Sequence, residues 1–403
     1  MPLIYMDNAA TAKYTNIDDI VINIMVEAMR DSWMNPSSLY ATSVKDKINK
    51  CRANIAGFIN AKAEEIYFCS GASEANNWAI RGWVDQERKN TVEAMDRFMS
   101  DDEWIQYENR MPVILASVIE HKSILNLLDN SDMLAYRHPL FVDEYGVIDY
   151  DWLEDELKTY KDSPILVTVC MANNELGVIQ NIRKISELVH KYGGVLHSDC
   201  TQAFGKIPID VEELGVDLMS VSGHKISSTL RGIGFLYKKN SINIQPLIYG
   251  TQEQNLRGGT ENTYGIIGLS KALEYCDVSI STVESLTRKR DYFIEHLELK
   301  FGCKLNGRPT NRLPNNVNVT FSQNVTGESL LYMLDMSGIR ISTGSACNSK
   351  SIEPSHVLTA IGLSETDAMK TVRFTLPDDV TYEEIDKVIC EIDKCLKLIE
   401  MEN

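Results

Sequence analysis

Leu218-Met219-Ser220-Val221-Ser222-Gly223-His224-Lys225 is the stretch from which the rest of the chain can be read. Leu218 to Val221 is a short, mostly apolar run of strand length, and it stops at a glycine turn carrying a serine, a histidine and a lysine. Lysine is almost never fully buried without a purpose. An amine kept near other cations and low-dielectric walls loses proton affinity and becomes available for a Schiff base.

Working outward, four more short strand-like runs end the same way. Ile66 to Cys69 runs into Ser70-Gly71-Ala72-Ser73-Glu74, and Val113 to Val118 into Glu120-His121. Ile165 to Cys170 is followed by Asn173-Asn174-Glu175, and Val195 to Ser198 ends at Asp199. Ligands of open α/β sheets bind beyond the carboxyl ends of the strands, so these five clusters predict one site. The small residues before Asn77 and Ile80 mark a helix start, where free N–H groups and the Ser73 hydroxyl suit a phosphate. A plain N-cap explains that stretch equally well. Asp199, with Gln202 three residues on, either orients a local turn or pairs with a protonated pyridine nitrogen. His121 is either a satisfied core histidine or a group at the site.

Length and composition bound these readings. At 403 residues, the chain exceeds what one core usually serves, so two domains are expected. With 44% hydrophobic and 24% charged residues, disordered and low-complexity classes are excluded. No run of 18 apolar residues predicts a membrane span, and the first residues resemble no signal peptide, so a cytoplasmic protein is expected. A net charge of −17 argues against direct nucleic-acid binding. The nine cysteines form no Cys-x-x-Cys, so neither a metal site nor a disulfide framework is expected.

Strand-like and helical runs alternate up to about residue 270, as in an α/β domain with a mostly parallel sheet covered on both faces. Helices are predicted at Val44 to Ile59 and Ile185 to Tyr192, and a strand at Ile233 to Tyr237. The pattern then shifts to long amphipathic helices over Thr282 to Phe301 and Tyr382 to Ile399, with strands at Asn316 to Phe321 and Val372 to Thr375. A large domain over 15–265 is expected, with a smaller α+β domain built from 1–14 and 266–403. Asp85 to Arg110, with eight acidic and four basic residues, reads as a solvated helical excursion.

Eight cysteines read mostly as small buried hydrophobes. Cys347 does not. It lies in Ser342-Thr343-Gly344-Ser345-Ala346-Cys347-Asn348-Ser349-Lys350-Ser351, a small and polar stretch suited to presenting a thiolate.

With Arg257-Gly258-Gly259-Thr260-Glu261-Asn262, Tyr5-Met6-Asp7-Asn8-Ala9-Ala10-Thr11, Glu353-Pro354-Ser355-His356 and Val372-Arg373-Phe374 added, the chain resembles the class-V aminotransferase family, in its cysteine desulfurase branch. The resemblance runs in order from Tyr5 to about Ile389. It implies the fold-type I architecture of pyridoxal-phosphate enzymes, a mostly parallel seven-stranded sheet sandwiched by helices plus a smaller domain. It makes Lys225 the Schiff-base lysine, with His121 stacked on the cofactor ring, Asp199 at the ring nitrogen and Gln202 at the ring hydroxyl. Ser73, Ser222 and His224 would hold the phosphate, and Thr260 would reach the phosphate of the neighbouring subunit in a homodimer. Asn173 and Arg373 would bind L-cysteine, Arg373 clamping its carboxylate. Cys347 would take the sulfur as a persulfide and pass it to an acceptor such as an iron–sulfur scaffold or a tRNA-thiolation enzyme.

The chain departs from the family pattern at Tyr249-Gly250-Thr251-Gln252-Glu253, at Ser227 to Gly232, at Ser73 and at Pro377-Asp378. None removes a catalytic group; the altered loops bear on substrate and acceptor. Two other readings compete: a related enzyme acting on another amino acid (a selenocysteine lyase or a transaminase), and an inactive homologue serving in sulfur transfer.

Overall fold

Strands that are buried at every position need cover on both faces, and Ile66–Cys69, Val113–Ser117, Ile165–Thr168, Leu218–Ser222 and Gly234–Lys238 are among the runs that meet that condition. The computed structural model describes residues 3–95, 111–129, 132–226, 231–343 and 354–402. Its large sheet has seven strands, β1 (Ile66–Cys69), β2 (Val113–Ser117), β3 (Tyr136–Leu140), β4 (Ile165–Thr168), β5 (Val195–Asp199), β6 (Leu218–Ser222) and β7 (Gly234–Lys238). They lie in the order β1-β7-β6-β5-β4-β2-β3. The pairings among β3, β2, β4, β5 and β6 are parallel, while β7 runs antiparallel between β6 and β1. The sheet is thus seven-stranded and mostly parallel, as the family resemblance implies.

Alternation along each strand divides the core in two. Phe68, Leu115, Val167, Leu196 and Phe235 face one side, against helices Thr42–Phe58, Ile182–Lys191 and Thr263–Leu273. Tyr67, Ile114, Leu166, Leu218 and Leu236 face the other, against Trp78 and Trp83 of helix Ala72–Met95. Each large side chain buried this fully contributes about 1.5–3 kcal/mol. Strand β3 is absent from the sequence reading because Tyr-Arg-His-Pro-Leu is polar, largely exposed and interrupted by Pro139. Those are features of an edge strand, and the sheet order puts it at the edge.

The smaller lobe pairs Asn316–Thr320 with Thr371–Thr375 and with Lys304–Leu305, and Ser342–Thr343 with Thr371–Thr375, all antiparallel. Helices Ile280–Phe301, Gly327–Met336 and Tyr382–Glu402 complete it, around Phe293, Leu297, Val319, Phe374, Val388 and Ile392. Ile4 and Met6 join this core, and Ile4–Tyr5 pairs in parallel with Ile339–Arg340. The expected boundary at 265/266 falls inside helix Thr263–Leu273, whose Ile266, Leu269 and Leu273 pack with the large sheet. Helix Ala72–Met95 extends into the acidic stretch, and 96–110 lie outside the described residues. Among the described residues no helix is long and apolar enough to cross a membrane.

The turn after β1 is the tightest backbone approach near the sheet's functional edge. Gly71 has φ +152°, and a Cβ on Gly234 would lie 2.6 Å from Gly71 Cα and closer still to the carbonyl of Val221. Backbone cannot yield as a flexible side chain can. Gly234→Ala is therefore expected to cost about 1–3 kcal/mol, seen as a lower denaturant midpoint than wild type.

Candidate active site

Residues from all five strand-end clusters meet at one cavity of about 480 Å³. The large lobe supplies Ser70 to Glu74 after β1, His121 after β2, Asn174 and Glu175 after β4, Asp199 to Gln202 in part, and Ser222, His224 and Lys225 after β6. Cys170, Ala172, Arg231 and Gly232 also line it, and Asp7, Ala9, Ala10, Ser342, Thr343 and Arg373 complete the wall. Cys347 lies outside the described residues, whereas Thr343, four positions before it, is on the wall. Thr260 is exposed and lines a separate cavity of about 170 Å³ with Cys69, Glu253 and Arg257. Asn173 does not line the main cavity. Its amide donates to the Ile119 carbonyl at 2.9 Å and accepts from the N–H groups of Glu175 and Leu176, so it builds the turn that presents Asn174.

One end of the cavity is shaped for an anion. Helix Ala72–Met95 begins there, with its free N–H groups and the Ser73 hydroxyl at the wall. Gly71 is needed at this point because a Cβ would lie 3.3 Å from Ser222 Oγ. Burial raises the Glu74 carboxyl, but hydrogen bonds from Arg257 and Ser70 outweigh it and hold it below its usual range. Arg257 grips Glu74 through two bonds of 2.8 and 3.2 Å. Ser222 Oγ lies 2.9 Å from His224 Nδ1. Burial, then the charges of Lys225 and Arg231, push His224 down to about 4, so it is neutral near pH 7 and retains a ring N–H to donate.

The floor is built around Asp199, which is 7% exposed. One carboxylate oxygen accepts from Asn76 Nδ2 at 2.8 Å and the other from the Thr201 N–H at 2.9 Å. Behind it, His197 is pushed to about 4 by burial and bonds Thr168 and Ser220 at 2.8 and 2.9 Å. Glu120 is fully buried, accepts the Cys170 N–H at 2.7 Å, and is pushed up to about 8 by burial and by Asp199. The Cys170 thiol, on the cavity wall, is raised well above its usual range by burial and then by Glu120 and Asp199. It stays protonated.

His121 caps helix Lys122–Leu128 by accepting the Ser123 N–H on Nδ1 at 3.1 Å. A backbone N–H can only donate, so the neutral ring carries its proton on Nε2. Withdrawal from water lowers the pKa of this ring, with Asp199 opposing and Lys225 reinforcing. Lys225 Nζ donates to the carbonyls of Ala9 and Ala10, each at 2.7 Å, and Gln202 Nε2 reaches Ala9 at 3.1 Å. Across the cavity, Arg373 donates to Asp7 at 2.9 Å and to the Asn174 carbonyl at 3.1 Å. Among the described residues, Arg373 Nε and Thr201 Oγ1 are buried without a partner. Asn76 and Glu120 had no assigned role in the sequence reading. Asn76 was detectable as an amide on the helix face carrying Ala75, Trp78, Ala79 and Ile80, all buried.

Residues 4–97 and 106–388 match the family described as Aminotransferase class-V. The chain is 39% identical over 393 residues to Cysteine desulfurase IscS of Methanosarcina thermophila, covering 96% of this chain and 90% of that protein. It is 39% identical over 404 aligned positions to Cysteine desulfurase IscS of Clostridium botulinum strain Hall, covering 98% and 94%. Among solved structures it is similar to a NifS-like protein, with TM-score 0.85 and 28% identity over 98% of this chain and 100% of that one. It is also similar to SspA in complex with cysteine, with TM-score 0.76 and 32% identity over 93% and 99%.

The buried carboxyls make a prediction about pH. Glu120, raised from 4.5 to about 8, binds its proton more tightly in the folded chain than in the unfolded one. The stability this contributes is full below about pH 4.5 and is lost as the pH rises to about 8. Glu120→Gln keeps an acceptor for the Cys170 N–H but does not titrate. The urea midpoint of the variant, relative to wild type, is therefore expected to climb between pH 5.5 and 7.5, with a limiting slope of about 1.4 kcal/mol per pH unit.

Proposed function

The chain belongs to the class-V aminotransferase family, and from that membership we propose a pyridoxal-phosphate-dependent cysteine desulfurase that converts L-cysteine to L-alanine and holds the sulfur as a persulfide on Cys347. The observation that carries this reading is the juxtaposition, around one cavity, of the Lys225 amine, the Asp199 carboxylate, a helix start with hydroxyl donors, and Arg373 on the facing wall. The donor set fits pyridoxal phosphate. Ser73, Ser222, His224 and the start of helix Ala72–Met95 suit its phosphate, Asp199 and Gln202 its ring nitrogen and hydroxyl, and Lys225 its aldehyde. The unpartnered Thr201 hydroxyl and Arg373 Nε are the sort of buried groups a ligand completes.

Bound there, the cofactor supplies an aldehyde for amino groups and an electron-accepting ring. The protein does the rest. Asp199, held by Asn76 and Thr201, keeps its charge directed at the ring nitrogen. Lys225 takes and returns the substrate's α-proton, and His121, with Nε2–H toward the cavity side, shares in proton movement. Arg373 clamps the α-carboxylate, and Asn173 supports it by shaping the turn that carries Asn174.

Sulfur goes to Cys347. The Cβ–S bond of L-cysteine breaks, an S–S bond forms at Cys347, and the carbon takes a proton, so alanine leaves with no outside oxidant. Cys170, which lines the cavity, is held as a neutral thiol and is a poor nucleophile. Thr343, four positions before Cys347 in the chain, lines the cavity.

A homodimer fits the exposed Thr260 beside the small cavity it lines, since a partner's phosphate site is its assigned target. Exposed Leu39, Tyr40 and Tyr249 flank the same loop, tied to it where Gln252 meets Ser37. An iron–sulfur scaffold or a tRNA-thiolation enzyme is the proposed acceptor.

The test is release of sulfide and alanine from cofactor-loaded protein given L-cysteine and a thiol reductant. Equimolar products are expected, with Cys347→Ser slower by at least about 100-fold and Lys225→Ala unable to hold the cofactor covalently. Wild-type rates in Cys347→Ser would remove the persulfide from the reading.

A further inference from the structure

A carboxylate already sits on the guanidinium reserved for substrate. Arg373 Nη2 donates to Asp7 Oδ1 at 2.9 Å, and both residues line the main cavity. Nη1 is occupied by the Asn174 carbonyl, and Nε is buried without a partner. Each terminal nitrogen carries a second N–H, which is what remains for an incoming carboxylate, and Asp7 already holds one of the Nη2 donors. The backbone, not the ion pair, places Asp7 there. Met6 accepts the Thr375 N–H at 2.7 Å and Asn8 donates to the Thr375 carbonyl at 3.2 Å, two residues along the strand from Arg373.

We infer that Asp7 is a specificity-determining residue: an internal carboxylate that shares Arg373 with the ligand and admits amino-acid zwitterions while rejecting carboxylates that lack an ammonium group. The inference rests on the reading of Arg373 as the carboxylate clamp.

Charge decides the selection. Asp7 and Arg373 cancel one another, with side chains 20% and 8% exposed, so little solvent screens a third charge. A simple carboxylate brings one uncompensated negative charge against Asp7. A zwitterion brings its own positive charge next to its carboxylate and adds none. Asp7 thereby keeps the clamp from being filled by the many organic acids that share only the carboxylate with an amino acid.

L-alanine and propionate differ only by the amino group, which can also bond the cofactor aldehyde, so the effect of Asp7 is read as the change in each ligand's affinity from wild type to variant. Their dissociation constants are measured by calorimetry on cofactor-loaded wild type, Asp7→Asn and Asp7→Ser, with Arg373→Gln as the control for the site. Both Asp7 variants are expected to bind propionate at least tenfold more tightly than wild type, with alanine changing less than threefold. Arg373→Gln, alone or combined with Asp7→Asn, is expected to lose propionate binding. Unchanged or weaker propionate binding in the Asp7 variants, no detectable binding in any protein, or binding that survives Arg373→Gln would overturn the inference. Asp7→Ser reads the same charge loss should Asp7→Asn fold poorly. Shifted propionate affinity without desulfuration would count against the proposed function alone, and active desulfuration with unshifted affinity against this inference alone.

Discussion

A carboxylate withdrawn from water at the end of a strand has to be held by donors, and Asp199 organises its surroundings on those terms. Asn76 and the Thr201 N–H satisfy its two oxygens, which requires helix Ala72–Met95 to lie close enough to β5 for an amide to span the gap. Its charge also reaches outward. Glu120 cannot ionise readily beside it, and the Cys170 thiol is held neutral by the same neighbourhood. His197 lies in the adjoining core and is neutral because burial outweighs the pull of Asp199. Asp199 thus sits, with both oxygens held by donors, among buried groups whose charged forms burial disfavours.

The N-terminal segment joins the halves of this site. Residues 6–8 add to the edge of the small-lobe strand that carries Arg373, through Met6, Asp7 and Asn8. Two residues later, Ala9 and Ala10 receive the Lys225 ammonium, and Ala12 donates its N–H to the His224 carbonyl. The contacts of Lys225 and of Asp7 thus fall within a few residues of one another on the same short backbone segment. The carboxylate end and the amine end of the cavity share one mechanical element.

Much of the fold was legible because local signals agreed with the tertiary arrangement. Helices predicted at Thr282 to Phe301 and Tyr382 to Ile399 occur at Ile280–Phe301 and Tyr382–Glu402, since their apolar stripes have a single face to bury. Strand β3 was not legible, because an edge strand needs little hydrophobicity and its polar residues face solvent. The helix Thr263–Leu273 looks from its composition like the start of something new. Only the packing of its Ile266, Leu269 and Leu273 in one cluster with Phe68, Val167 and Phe235 assigns it to the large sheet. At the site, residue types and their positions after strands pointed to Lys225, Asp199 and His121, and the family resemblance to Arg373, while the role of Asn76 could not be read. An amide inside a helix carries no mark of what it touches.

The residues themselves determined the chemical inventory: a lysine, a carboxylate, a histidine and small residues at a helix start, each tied to a strand end by a local pattern that chain connectivity cannot scramble. Tertiary structure decided which of these share a boundary and in what charge state. Asn174 rather than Asn173 faces the cavity because the Asn173 amide is used up in the turn. Glu120 and Cys170 are neutral because burial next to Asp199 makes them so. Asp7 sits on Arg373 because two backbone hydrogen bonds pair segments 366 residues apart. Desolvation and long-range pairing depend on what surrounds a residue in space, and no window of sequence contains that information.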